Sequence, residues 1–319
     1  MTSSEKGRKE YWNIFELLNR EPRIYIKTIA SKLKIDSNTA SKWMKEAYEE
    51  GRIYGPHLRK RSHENFKEYI YFLSCKNQRK LFLELIEDER IVYHAVMTGI
   101  PNLWVISKEE IDFEDEVVVK GRRSDFHVSF PPNHSWDTAI RKMKKLVEDF
   151  NPEDYQPKGI IKNHWGEVIE WDAQDETLFR VFKYNARHKL SPIMREHHVP
   201  GKKIYEFLKR LPKCCSIITY YFPEPIKTLE PYLFIMETDY EDFIIELFSE
   251  LPTSCLFFKV ADKLVLYVFL KKEFLKFTGT DTNAFDKLHL NILIMNLLEK
   301  EILKSEAYAA VEYYWGKDI

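Results

Sequence analysis

Residues Ile26 to Ile53 carry the spacing of a helix-turn-helix, and that spacing returns 164 positions later. Ile29, Leu33, Ile35, Ala40, Trp43, Met44 and Ala47 have shifted counterparts Ile193, His197, Val199, Ile204, Phe207, Leu208 and Leu211, and six of the seven pairs are apolar in both copies. Ala40, Trp43, Met44 and Ala47 stand at i, i+3, i+4 and i+7, so they form one buried helix face. Ile14, Leu17 and Leu18 match Leu178, Val181 and Phe182 at the same offset. The match runs on into apolar segments: Tyr69–Phe72 against Leu233–Met236, and Trp104–Ile106 against Val268–Leu270. A unit of about 90 residues used twice constrains the fold strongly, because each copy must bury a core of the same kind.

The local signals fill in the unit. A helix is expected near 8–19 and a second near 25–33. Lys34-Ile35-Asp36 is the turn, and Asp36 or Ser37 caps a third helix that stops at Gly51. Arg52-Ile53-Tyr54-Gly55-Pro56 reads as a wing, followed by the basic run Arg59-Lys60-Arg61. Strands are expected at 68–74, 91–97, 103–107, 116–120 and 125–130, with a helix at 78–87. Ser135 caps a later helix, and the proline-bearing stretch 151–171 reads as a linker. The second copy opens near Asp172, with a last helix near 291–302 and a last strand at 307–315. The expected fold is α+β: winged helix-turn-helix domains at 1–62 and 172–228 alternate with ferredoxin-like domains at 63–150 and 229–319.

Charge follows the repeat. Residues 1–62 hold 14 Lys/Arg against 8 Asp/Glu, and residues 172–213 hold 10 against 5, in a chain whose net charge is −1. Both heads are therefore basic and the remainder acidic, the distribution of a phosphate-binding surface on a soluble carrier. No apolar run is long enough for a membrane span, and the polar start lacks a secretory leader, so a cytoplasmic location is expected. Cys75, Cys214, Cys215 and Cys255 form no CxxC pair and read as buried thiols. The sequence offers no glycine-rich phosphate loop, nucleophile triad or paired carboxylates at helical spacing, so no catalytic residue, cofactor or metal is expected. His197-His198 lacks a third ligand, and His197 occupies an apolar position of the repeat, so it reads as a core histidine. The stripe Tyr69, Tyr71 and Phe72 reads as core.

The order helix-turn-helix, wing and β-α-β-β resembles the leucine-responsive regulator family, Lrp/AsnC. Residues 29–53, IASKLKIDSNTASKWMKEAYEEGRI, carry that family's spacing and its Glu-Glu-Gly-Arg-Ile ending, and Val96-Met97-Thr98-Gly99 is similar to its ligand-domain hairpin. The resemblance covers 10–107 well and 174–315 more loosely. The sequence departs from the pattern where Lys34 and His198 stand for a turn glycine, where the hairpin at 260–263 has none, and where Asn102 stands for an aspartate. The resemblance implies a transcription regulator that binds double-stranded DNA. Its ferredoxin-like (RAM) domains would mediate a homodimer or higher oligomer and sense an amino-acid-like effector.

On that reading Ser37, Asn38, Thr39, Ser41 and Lys42 face base edges, and Lys45, Arg59, Lys60 and Arg61 hold phosphates. The second head offers Lys202, Lys203, Lys209 and Arg210, with Tyr205 in the place of Ser41. Gly99 and Asn102 mark the effector hairpin. The same resemblance carries two alternatives. Sirohaem decarboxylases look like paired units of this family and use histidines at a tetrapyrrole, and His94 with Asn102-Leu103-Trp104 is similar to a stretch in those enzymes. The other alternative is a protein-interaction module that has lost DNA binding.

Overall fold

The computed structural model describes residues 3–272 and 289–317. Among them the chain is a mixed α+β protein with ten α-helices and a large antiparallel sheet. It divides into two compact units, and the chain visits each of them twice: residues 1–65 with 165–227, and 66–164 with 228–319.

In the first unit, α1 (Ser3–Arg20), α2 (Ile26–Leu33) and α3 (Ser37–Glu49) precede β1 (Ile53–Lys60). The later segment repeats the order as α6 (Ala173–Phe182), α7 (Leu190–Glu196), α8 (Gly201–Cys214) and β7 (Cys215–Tyr221). Asp36 starts α3 by accepting from the amides of Asn38 and Thr39, each at 2.9 Å. Asp172 and Asp175 start α6 as a reciprocal capping box. The 164 offset holds here down to backbone conformation. Lys34 at φ 56° and His198 at φ 51° both take the left-handed turn that glycine fills more easily.

Two cores result. Ile14, Leu18, Ile29, Ala40 and Ala47 are buried in one, and Leu178, Phe182, Ile193, Ile204 and Leu211 in the other. β1 and β7 pair antiparallel and cross over: Tyr221 of β7 joins the first core and Leu58 of β1 joins the second. The arginines at the matched positions 23 and 187 are exchanged in the same way. Arg23 donates to the carbonyls of Ala186 and His188, and Arg187 donates to those of Pro22 and Ile24. Each arginine thus binds the two residues flanking the other.

The second unit contains β2 (Tyr69–Ser74), α4 (Gln78–Glu87), β3 (Ile91–Gly99), β4 (Leu103–Ser107), β5 (Glu116–Arg122), β6 (His127–Val128) and α5 (Trp136–Asp149). Its later segment supplies β8 (Glu230–Glu237), α9 (Glu241–Phe248), β9 (Cys255–Val260), β10 (Lys263–Leu270), α10 (His289–Glu299) and β11 (Ser305–Gly316). The nine-stranded order is β5-β2-β4-β3-β11-β8-β10-β9-β6. Four strands from each segment follow the same internal order and meet where β3 pairs with β11. Arg123, just past β5, bridges to Val260, and β6 pairs with β9, so the segment after β5 reaches the far edge of the sheet. The later helix expected from its Ser135 cap is α5, which packs on α9 and α10.

The strand faces correct one expectation. Trp104 stacks on Phe258 with ring centroids 6.0 Å apart and also contacts Tyr267. The 164 offset would match Trp104 with Val268, which neighbours Tyr267 in β10 and therefore points to the opposite face. The repeat is gapless through the heads but not through the sheet. These strands are apolar on both faces, so apolar residues match at any small offset.

The turn between β9 and β10 dispenses with glycine because Ala261 itself adopts φ 54°. All four cysteines are free and buried. No described helix is long and apolar enough to cross a membrane.

Candidate functional site

The residues expected to read bases lie where the repeat places them. Ser37, Asn38, Ser41, Lys42 and Lys45 are exposed on α3, and Thr39 is half-buried. The hydroxyl of Thr39 is turned back onto Asp36 at 2.5 Å. Lys42 and Lys45 lie along Glu46 and Glu49 at 3.8 and 3.5 Å.

The cations expected to hold phosphates are largely committed to the protein itself. Lys60 pairs with Glu176 at 2.6 Å and lies over the rings of Trp171 and Phe179. Arg61 donates to the Pro212 carbonyl, and Arg59 donates to that of Leu58 while lying over Tyr184. In the second head, Lys203 meets Asp172 at 2.6 Å and Asp175 at 2.9 Å, and Arg210 meets Asp175 at 2.6 Å. Burial opposes the charge of Asp175, but Arg210 and Lys203 hold its carboxyl below the usual range. A cation already paired with an internal carboxylate has little charge left for a phosphate. Lys202 pairs with Glu206 at 3.9 Å, and Lys209 is exposed.

Gly99 and Asn102 are structural. A side chain at Gly99 would meet the Tyr308 carbonyl at 2.6 Å, so glycine lets β11 approach β3. The Asn102 amide accepts from the Cys75 amide at 2.8 Å and donates to the Cys75 carbonyl at 2.9 Å. The Asn102 side chain thereby fixes the hairpin rather than facing an effector. His197 is exposed, not in the core: α7 ends at Glu196 and His197 is its C-cap residue.

Two arrangements stand out. The first is His94 on β3. Its side chain is fully buried, and neither ring nitrogen has a hydrogen-bond partner. Phe82 of α4 lies 4.3 Å away and Trp315 of β11 5.1 Å away, measured between ring centroids. Tyr313 contacts Phe82 at 5.2 Å and is 60% exposed. Burial pushes the His94 imidazole down to about 4, against a weaker opposing pull from the Phe82 backbone that does not reach hydrogen-bond geometry, so the ring is neutral near pH 7. Beyond Trp315, Lys317 lies over its ring, and Arg90 forks onto Asp88 at 2.7 Å. Leaving both nitrogens of a buried imidazole unpaired is costly, so the position calls for an explanation.

The second is a cleft of about 780 Å³ between α6 and α8. Its lining combines Trp171 with the carboxylates of Glu170, Asp172, Asp175 and Glu206 and the cations Lys203, Lys209, Arg210 and Lys213. The Trp171 indole is oriented by donation to Glu176 at 2.7 Å.

No family model matches this chain, and no curated protein matches it. Two solved structures are similar to it. One is the siroheme decarboxylase NirDL, at 11% identity and a TM-score of 0.46, over 97% of this chain and 92% of that one. The other is the same enzyme in co-complex with an iron-uroporphyrin III analogue, at 11% identity and a TM-score of 0.42, over 92% and 86%.

The reading as a DNA-binding regulator of the Lrp/AsnC type is therefore corrected. No model of that family matches this chain. Most of the cations assigned to DNA are held by internal carboxylates or carbonyls. The expectations tied to that reading fall with it: no enzymatic activity, double-stranded DNA and an amino-acid-like effector as partners, and a regulator's homodimer. The signal that sequence reasoning missed was the acidic partners. Glu176, Asp172 and Asp175 lie 116, 31 and 35 positions from the cations they neutralise.

Proposed function

We propose that this chain is a tetrapyrrole-binding enzyme of the decarboxylase kind, with His94 at its binding site. The observation that carries the reading is the buried, neutral, unpartnered imidazole of His94. A neutral imidazole keeps a lone pair that can meet a metal or a ligand hydrogen. Phe82 and Trp315 flank it, and Tyr313 extends that aromatic surface from Phe82, a surface of the kind that packs on a flat macrocycle. The fold that goes with this reading is two winged helix-turn-helix heads, 1–62 and 172–228, alternating with two ferredoxin-like domains, 63–150 and 229–319. Segment 151–171 is the linker, and the heads serve as scaffold.

The test is an absorption titration of the full chain with iron uroporphyrin III. A saturable shift of the Soret band is expected, and it is expected to be lost in His94→Phe. No shift with the native chain, or an unchanged shift in His94→Phe, would sink the reading.

A further inference from the structure

Helices α3 and α8 occupy matched positions in the two heads, yet their outer charges are arranged differently. Along α3, Lys42 lies by Glu46 and Lys45 by Glu49, so this surface neutralises itself. The matched residues of α8 are Glu206 with Arg210 and Lys209 with Lys213. Arg210 turns inward to Asp175, and Glu206 pairs back to Lys202. An opposite-charge pair has thus become Lys209–Lys213, two like charges one turn apart, both exposed. Like charges at this spacing destabilise a helix. Neither lysine has an ion-pair partner among the described residues. A cation at the last turn of a helix suits the macrodipole, which accounts for Lys213 alone but not for the pair.

Both lysines line the α6–α8 cleft, whose volume of about 780 Å³ suits a small-molecule ligand; of its four carboxylates Asp172 and Asp175 are taken up by Lys203 and Arg210 and Glu206 by Lys202, so the two lysines face only Glu170 as an uncommitted acid. Behind them the wall is fixed in place. The Asp175 side chain is only 2% exposed and anchors Lys203 and Arg210. The Trp171 ring packs on Phe207 at 5.9 Å and on Phe179 at 6.0 Å. At the 164 offset the sequence has Arg8 and Tyr11 in place of Asp172 and Asp175, so it does not repeat this pair of carboxylates.

We propose that the α6–α8 cleft binds a small polyanion, bearing phosphate or clustered carboxylate groups, between Lys209 and Lys213, with the Trp171 ring as its apolar wall. The anion removes the repulsion between the lysines and gains charge-assisted hydrogen bonds from both. Binding here is independent of the role of His94.

The experiment is isothermal titration of the full chain with pyrophosphate and, separately, with benzenehexacarboxylate. Saturable binding of either is expected, weakened by roughly tenfold or more in Lys213→Glu. Lys213→Glu restores the Lys45–Glu49 pattern, so its melting temperature is expected to stay near that of the native chain. Lys209→Gln is expected to weaken binding in the same direction. Three results would overturn the proposal: no saturable binding of either anion, equal binding in Lys213→Glu, or binding of duplex DNA through these lysines without affinity for either small anion.

Discussion

His94 shows how a single side chain can be both a stability defect and a functional asset. A buried polar group without a partner costs about 1–3 kcal/mol. His94→Phe is therefore expected to raise the unfolding free energy by roughly that amount, while abolishing iron-uroporphyrin binding. Chemical denaturation of both proteins checks it, and a less stable variant would contradict the account. The same burial predicts a pH dependence. The folded imidazole sits at about 4 and the unfolded one at 6.5. Above pH 6.5 both states are neutral and nothing changes. As pH falls from 6.5 towards 4, the unfolded chain takes up a proton that the folded chain refuses, so stability is lost through that window. The loss from His94 approaches about 3 kcal/mol below pH 4. His57, also pushed down to about 4 by burial and then by Arg59, acts in the same direction. Denaturation midpoints at pH 7.5 and 4.5 should converge in His94→Phe relative to the native chain. His94 was visible in the sequence as a histidine within a strand. Its missing partners were not, because only packing shows what surrounds a ring.

At the scale of elements, the sequence was most legible where a local signal decides the outcome. Asp36 and Ser135 cap helices as expected, and the late position of α5 was readable from Ser135. The strand faces were illegible because the strands are apolar on both sides. The turn residues Lys34 and His198 lie between these cases: the missing glycine was plain, but its consequence needed the backbone. A left-handed conformation costs an ordinary residue about 1 kcal/mol. Lys34→Gly is expected to recover most of that, because the Lys34 side chain is exposed and makes no ion pair among the described residues. A melting temperature unchanged or lowered would show that unfolded-state entropy outweighs the strain. Segment 151–171 read as a linker, yet part of it is tied down. The Asp242 carboxylate accepts from the amides of Lys158, Gly159 and Ile160 at 2.6, 2.8 and 2.8 Å. Burial opposes this charge, but the three amides hold the carboxyl below its ordinary value. The anchor is therefore intact above the unfolded carboxyl range and lost as pH falls through the folded value. Asp242→Ala should leave these amides exposed, and hydrogen exchange at Gly159 and Ile160 should accelerate at pH 7. Unchanged protection there would mean that the carboxylate does not hold the strap.

At the scale of the molecule, the repeat was legible and its use was not. Matching positions in a sequence show that a unit occurs twice, but not whether the copies touch. Here the two heads exchange equivalent contacts, the hallmark of an isologous interface, now within one chain. β1 and β7 swap core residues, and Arg23 and Arg187 swap carbonyl partners. Reciprocity makes a quantitative prediction that a one-sided contact does not. Arg23→Ala and Arg187→Ala each remove two hydrogen bonds from a charged donor, so each should lower stability by about 2 kcal/mol, and by similar amounts. The double substitution should lose less than the sum. Burial first, and then the field of Arg187, lowers the Arg23 pKa, so removing one arginine relieves the other. A double-mutant cycle by chemical denaturation measures all three values. If one single substitution were silent while the other was costly, the exchange would be only geometric. The heads would then be held by the β1–β7 pairing together with the Lys60–Glu176 pair and the Arg61–Pro212 hydrogen bond.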